Sequence, residues 1–397
     1  MKTDRMIGLG FAAVLLALGA GMGLFSGHSA APAPTTGPEA PKFEVDPLWP
    51  KPLPNHWRIG STIGVSVDAK DHVWVLHRPA TLQPKEAYAS QSPRAAICCS
   101  AAPPVLEFDS DGTLLNSWGG PAANPSDGYE WPVSNHGLTI DYKGNVWIGG
   151  NDEKDSQVLK FTQAGKFLMQ IGHSGQSKGS NDTANVHRAA KIFVDPEANE
   201  AYIADGYGNK RVIVYDADSG AYKRHWGAYG NKPDDADPGP YNPGAPPAQQ
   251  FRNPVHCAEL AHDGLLYVCD RTNDRIQVFK KDGTFVKEQF IAKETLGDGA
   301  VFDIAFSKDP AQKFIYVADG SNDRIHILLR DTLEELTNFA DGGRQPGQFY
   351  AVHSIATDSK GNIYTTETYE GKRVQKFVYK GLAPVTKVDQ GTVWPQK

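Results

Sequence analysis

Hydrophobic and polar positions alternate in short runs along most of the chain. In the stretch Trp131 to Gly150 an alternating run from His136 to Asp141 meets a polar turn at Lys143-Gly144-Asn145. A second run centred on Trp147 follows, and this is the pattern of a β-hairpin. The hairpin recurs, its second strand carrying an aromatic between aliphatic or small residues: Val73-Trp74-Val75, Val146-Trp147-Ile148, Ala201-Tyr202-Ile203, Leu266-Tyr267-Val268, Ile315-Tyr316-Val317 and Ile363-Tyr364-Thr365. The six aromatics are 73, 55, 65, 49 and 48 residues apart, so the underlying period is near 48 and the early copies carry insertions. Four-stranded propeller blades repeat at that period.

Third and fourth strands follow the hairpins, as in Gln157 to Phe161 and Phe167 to Ile171, or Arg275 to Phe279 and Phe285 to Gln289. Six such units predict an all-β fold, a closed six-bladed β-propeller over residues 55–383 with a tail at 384–397. The last unit ends its third strand at Arg373 to Phe377 without an obvious fourth. The segment Phe43-Glu44-Val45 is the candidate to supply that strand and latch the ring.

Composition changes the picture in three places. The 397 residues would allow two or three domains by length alone, but the repeats override that division. The formal charge of -6 removes the basic footprint that nucleic acid requires, so that partner class is set aside. Residues 1–30 have a positive start at Lys2 and Arg5, an uncharged apolar run from Met6 to Phe25 and small residues at His28-Ser29-Ala30, the pattern of a signal peptide. A secreted or periplasmic monomer is therefore expected, with an uncleaved membrane anchor as the alternative. Residues 31–54 are a Pro-rich lead-in.

In an exported chain the four cysteines are candidates for disulfides. Cys257 and Cys269 flank the turn His262-Asp263-Gly264 and would face each other across a hairpin, while Cys98-Cys99 is a vicinal pair open to either a ring or a loop staple. The insertions Pro79 to Pro104, Gly172 to His187 and Gly230 to Gln250 are rich in Pro, Gly, Asn and Asp, as binding loops and lids are. The recurring turn in Asp270-Arg-Thr-Asn-Asp-Arg275 and Asp319-Gly-Ser-Asn-Asp-Arg324 is read as a set of structural Asp–Arg ion pairs.

The candidate chemistry comes from register. His136, His256 and His353 each stand eight residues before the glycine of their hairpin turn (Gly144, Gly264, Gly361), so they hold one structural position in blades two, four and six. The equivalent residues in the other blades are Ile63, Ala190 and Phe302. Innermost strands line a propeller's channel, so alternate blades send three imidazoles towards the axis. Three neutral imidazoles with a fourth position open describe a catalytic zinc site, against the alternative of channel packing. Arg78 and Arg271 share a second repeat position in blades one and four, suited to a substrate carboxylate or to a blade-to-blade ion pair. Tyr207 and Tyr369 share the position one residue further on, for hydrogen bonding or packing.

The segments around Arg78, His136, Tyr207, His256, Arg271 and His353 resemble the peptidyl-α-hydroxyglycine α-amidating lyases, six-bladed NHL-repeat propellers, over residues 57 to 380. The resemblance implies zinc on His136, His256 and His353, substrate-site arginines at Arg78 and Arg271, and a catalytic tyrosine at Tyr207. The chain departs from that family in carrying Ser354 where an Asp serving a structural calcium is expected, so only backbone carbonyls near Val65 and Leu138 are left for Ca2+. The function expected is a zinc-dependent carbon–nitrogen lyase, cleaving an α-hydroxyglycine-type carbinolamide of a small-molecule or peptide substrate with a carboxylate. The alternatives are a non-catalytic NHL binding platform and, third, a calcium-dependent hydrolase.

Overall fold

A computed structural model describes residues 37–396, so residues 1–30, read above as a signal peptide, lie outside the described residues. Residues 39–396 form one compact unit. It is built from six four-stranded antiparallel sheets, the blades of a six-bladed propeller, with a single additional two-stranded ribbon among the described residues. The innermost strands are Ser61–Val67, Asn135–Ile140, Ala189–Asp195, Val255–Leu260, Asp303–Phe306 and Val352–Thr357.

The repeated aromatics are the anchors that the alternation predicts. Trp74, Trp147, Tyr202, Tyr267, Tyr316 and Tyr364 are all buried. In blades one, two and six the ring's polar atom is satisfied by the aspartate six residues earlier. Trp74 and Trp147 donate from Nε1 to Asp68 and Asp141 at 3.1 and 2.9 Å, and the Tyr364 hydroxyl donates to Asp358 at 3.0 Å. Each such aspartate also accepts backbone N–H bonds in the hairpin turn, so one carboxylate ties turn and core together.

The latch is present. The strand Glu39–Asp46 pairs with Arg373–Pro384 as the outer strand of blade six, Phe43 opposite Tyr379. Phe43 is buried edge-on against Tyr316 at 5.4 Å between centroids and also touches Phe339. Joining the two ends of the chain in one sheet removes the exposed edges that an open ring would leave.

The Asp–Arg turn pairs form in blades three and four, Arg211 to Asp205 and Arg275 to Asp270, each at 2.8 Å and fully buried. Blade five differs. Arg324 reaches outward to Asp389 of the C-terminal tail, and Asp319 is taken by His326 at 3.0 Å, whose other ring nitrogen meets Glu335 at 2.9 Å. The smaller imidazole bridges two carboxylates inside the blade and leaves the guanidinium free for the tail.

Those two carboxylates outweigh the burial of the ring and push the His326 pKa up to about 9, while the His326 charge holds Glu335 below its ordinary value. A raised histidine pKa stabilises the fold fully below the unfolded value near 6.5 and ceases to do so as pH rises through about 9. The Glu335 contribution is lost on the acid side, below about 4.5. Unfolding free energy is therefore expected to fall by on the order of 2–3 kcal/mol between about pH 6 and pH 9.5. His326→Gln should flatten that part of the profile in urea titrations, and an unchanged slope would contradict the ion-pair assignment.

Candidate metal centre

The position shared by the histidines is a β-bulge. In blades one, three, four and six the residue left over between two paired neighbours is Ile63, Ala190, His256 and His353 respectively. In blade two the register slips between His136 and Leu138. The intervening Gly137 has φ +64°, and a Cβ there would lie 2.2 Å from the Ala190 carbonyl oxygen, so only glycine fits. A bulge turns a side chain out of the strand's alternation, which in blades one, three, four and six brings the bulged residue to face the axis.

His136, His256 and His353 are buried at 1–3% exposure, and their ligating atoms all lie within 4.8 Å of one another. The rings meet edge to face, with centroids 4.8–5.2 Å apart. Their outer nitrogens are held by the blades between them. His136 Nδ1 donates to the Ala190 carbonyl at 2.8 Å and His256 Nδ1 to the Phe302 carbonyl. His353 Nδ1 donates to Ser354 Oγ at 3.0 Å, and that hydroxyl donates onward to the Ile63 carbonyl at 3.2 Å. Thus Ile63, Ala190 and Phe302, the non-histidine members of the repeat position, supply the carbonyls that orient the histidine members. With the proton on Nδ1, each Nε2 presents a lone pair.

Burial first depresses all three imidazole pKa values well below the ordinary range, aided by Arg78 at His136, by Arg271 at His256 and by the two neighbouring histidines at His353, so the cluster is neutral. A buried set of three neutral imidazoles is compatible with a metal site. Because Ser354 carries the tether of His353, Ser354→Ala is expected to weaken metal binding by about tenfold. A competitive chelator titration reads this, and an unchanged affinity would remove Ser354 from that role.

Tyr207 completes the cluster. Its hydroxyl oxygen lies 3.1 Å from His136 Nε2 and 3.0 Å from His256 Nε2, and it accepts a hydrogen bond from Arg271 at 3.2 Å. Arg271 stacks on Phe302 at 4.5 Å, faces Asp298 at 3.6 Å and has a buried Nε with no hydrogen-bond partner. Arg78 donates to the Asn135 carbonyl at 3.0 Å and to Asn151 Oδ1 at 2.8 Å, its guanidinium pKa lowered by burial. Tyr369, half exposed, donates to Asp298 at 2.9 Å. All seven candidate residues are therefore gathered at one mouth of the channel.

Three further residues join them. Arg188, at φ +63°, lies over the Tyr207 ring and binds the Asn151 carbonyl at 2.7 Å and Glu153 at 2.6 Å. Asn151 occupies in blade two the repeat position that Arg78 and Arg271 occupy in blades one and four, a signal that was available in the register. Asp298 and Arg188 sit in inter-blade connections with no repeat, so spacing holds no trace of them.

On the far side of the histidines the channel is closed by charge. Lys191 Nζ binds both Asp303 oxygens at 2.7 and 2.9 Å and Glu259 at 2.8 Å. The two carboxylates raise the Lys191 pKa beyond its already high ordinary value. Between this triad and the imidazoles the free space is only about 10 Å³, room for about one water. The fully charged triad carries one net negative charge beside the neutral imidazoles.

The cysteines are bridged in both pairs. Cys257 and Cys269 are cross-strand partners with Cα atoms 4.8 Å apart, and Cys98 is joined to Cys99.

No family model matches the chain. It is 25% identical to NHL repeat-containing protein 3 of Mus musculus across 86% of this chain and 85% of that protein. It is 25% identical to peptidyl-alpha-hydroxyglycine alpha-amidating lyase 1 of Drosophila melanogaster across 84% of this chain and 59% of that one. Its homologues include amidating lyases and NHL repeat-containing proteins. Similarity to peptidyl-glycine alpha-amidating monooxygenase of Mus musculus reaches 33% over 38% of this chain. The chain spans only 26%, 15% and 14% of the length of the first three amidating monooxygenases it matches. Among solved structures, a protein of unknown function from Bacteroides thetaiotaomicron superposes with a TM-score of 0.51 at 13% identity, covering 86% of this chain and 77% of that one, and shares the fold.

Proposed function

We propose that the protein is an exported zinc-dependent carbon–nitrogen lyase that splits an α-hydroxyglycine-type carbinolamide into an amide and a glyoxylate-like product. The observation that carries this reading is the convergence of two imidazole Nε2 atoms and the Arg271 guanidinium on one phenolic oxygen, that of Tyr207, with His353 beside them. The amidating-lyase homologues support the reaction class.

The donor set suits zinc. Three neutral nitrogens, each with its second nitrogen engaged by a carbonyl or hydroxyl, match the ligand number and second shell of catalytic zinc sites. His136, His256 and His353 would hold the ion, which supplies a Lewis acid that acidifies the substrate hydroxyl.

The remaining work falls to this chain's own side chains. Arg78, partly buried and anchored at the Asn135 carbonyl and Asn151, offers its remaining donors to a carboxylate, and the unpartnered Arg271 Nε offers a further one. Tyr207 serves as the base that takes the hydroxyl proton, and Arg271, which donates to its oxygen, stabilises negative charge there. The O–H electron pair then forms the carbonyl, the C–N bond breaks, and nitrogen leaves with its electron pair and takes up a proton to become the amide. The triad of Lys191, Glu259 and Asp303 bars entry from behind.

Zinc quantification on the purified mature protein, followed by glyoxylate release from an α-hydroxyglycine compound, tests the proposal. One equivalent of zinc with glyoxylate formation supports it. Absence of both returns the chain to the alternative of an NHL binding platform, which has no need of a metal on its axis.

A further inference from the structure

Three arginines are gathered at the mouth above the histidines, and their partners differ in charge. Arg188 is paired with Glu153 at 2.6 Å, and Arg271 faces Asp298 at 3.6 Å. Arg78 is held by neutral acceptors, its Nε on the Asn135 carbonyl at 3.0 Å and its Nη2 on Asn151 Oδ1 at 2.8 Å, and it makes no ion pair among the described residues. Asp155, whose field reaches Arg78, spends its own oxygens on the backbone N–H groups of Val133, Ser134 and Asp152. Asn151 is itself fixed from several sides. Its Oδ1 accepts a second hydrogen bond from Ser134 Oγ at 2.8 Å, its N–H donates to the Ser134 carbonyl at 2.8 Å, and its carbonyl accepts from Arg188 Nε at 2.7 Å. Ser134 and Asn135 run directly into His136, so one short stretch of backbone ties Asn151 and Arg78 to the first histidine.

We propose that Asn151 is the positioning residue of the substrate-carboxylate site and sets its selectivity: it aims Arg78 with a neutral oxygen, so that the guanidinium keeps its charge for a carboxylate. Amide and carboxylate side chains have the same shape. An aspartate at position 151 would accept the same two hydrogen bonds, from Arg78 and from Ser134, and would also take the charge that Arg78 holds for the substrate. The proposal rests on the lyase reading for the identity of that carboxylate, the one on the α-hydroxyglycine unit.

The test uses the full mature protein and two probes of one shape, N-benzoylglycine and its carboxamide, in titration calorimetry. The wild-type protein is expected to bind the acid at least about tenfold more tightly than the carboxamide. Asn151→Asp should weaken the acid by about thirtyfold and leave the carboxamide within about twofold, while its urea midpoint stays at or above that of the wild type, because a neutral hydrogen bond has become an ion pair. Asn151→Ala, which frees Arg78, should weaken the acid by about tenfold. In glyoxylate release Asn151→Asp should raise KM and leave kcat within about threefold. Unchanged acid binding in a folded Asn151→Asp protein, equal losses for acid and carboxamide, a fall in kcat at constant KM, or a wild type indifferent to the carboxylate would each overturn the proposal. The expected binding pattern without glyoxylate release by the wild type would uphold the carboxylate site and overturn the lyase reading alone.

Discussion

Replacing His256 by alanine is expected, on the proposed zinc-lyase function, to reduce bound zinc from one equivalent to a trace and glyoxylate release by at least about a thousandfold, the scale expected when the Lewis acid of a metal-assisted reaction is removed. Two imidazoles cannot enclose an ion as three do, and the loss also frees the Phe302 carbonyl that His256 Nδ1 engages. The effect must be separated from unfolding, because His256 is buried within the ring. Two measurements do that. The variant should keep a cooperative urea transition, and His262→Ala, altering a histidine near the opposite mouth, should keep both metal and activity. Retention of a full equivalent of zinc by a folded His256→Ala protein would remove the metal assignment and the reaction with it.

Phe43→Ala is expected to cost about 4 kcal/mol in unfolding free energy, the usual penalty for emptying a buried phenylalanine site. Phe43 is the largest buried side chain of the latch strand, packing on Tyr316 and Phe339 of blade five and on Tyr379 of its own sheet. A loss of well under about 1 kcal/mol in urea titration would show that the latch strand holds by backbone pairing alone. Blade six also bears His353, so loosening its outer strand should weaken metal binding together with stability. The joint effect distinguishes a closure role from simple packing.

Much of this architecture was readable from residues alone, for a physical reason. Each blade buries one large aromatic in the middle of its second strand, and a buried ring such as Trp147 tolerates few replacements, so the period survives insertions of very different length. The same logic exposed the histidines, since a site built by repetition leaves its members in one register. What escaped was whatever depends on geometry between blades. The bulge that turns His256 inward has no residue signature, and the carbonyl of Ala190 that orients His136 carries no side-chain identity at all. Arg188 became visible only when its loop was seen to cross Tyr207. The turn Asp319-Gly-Ser-Asn-Asp-Arg324 misled because its letters match those of Asp270–Arg275 while the deciding partners, His326 and Asp389, lie outside it.

The lysine plug fixes the direction of traffic. On the proposed lyase function, a bore that ends blind behind the imidazoles would not be threaded, and a polymer would present its terminus and leave the way it came. If the proposed lyase function holds, processing at such a dead end would be confined to chain ends.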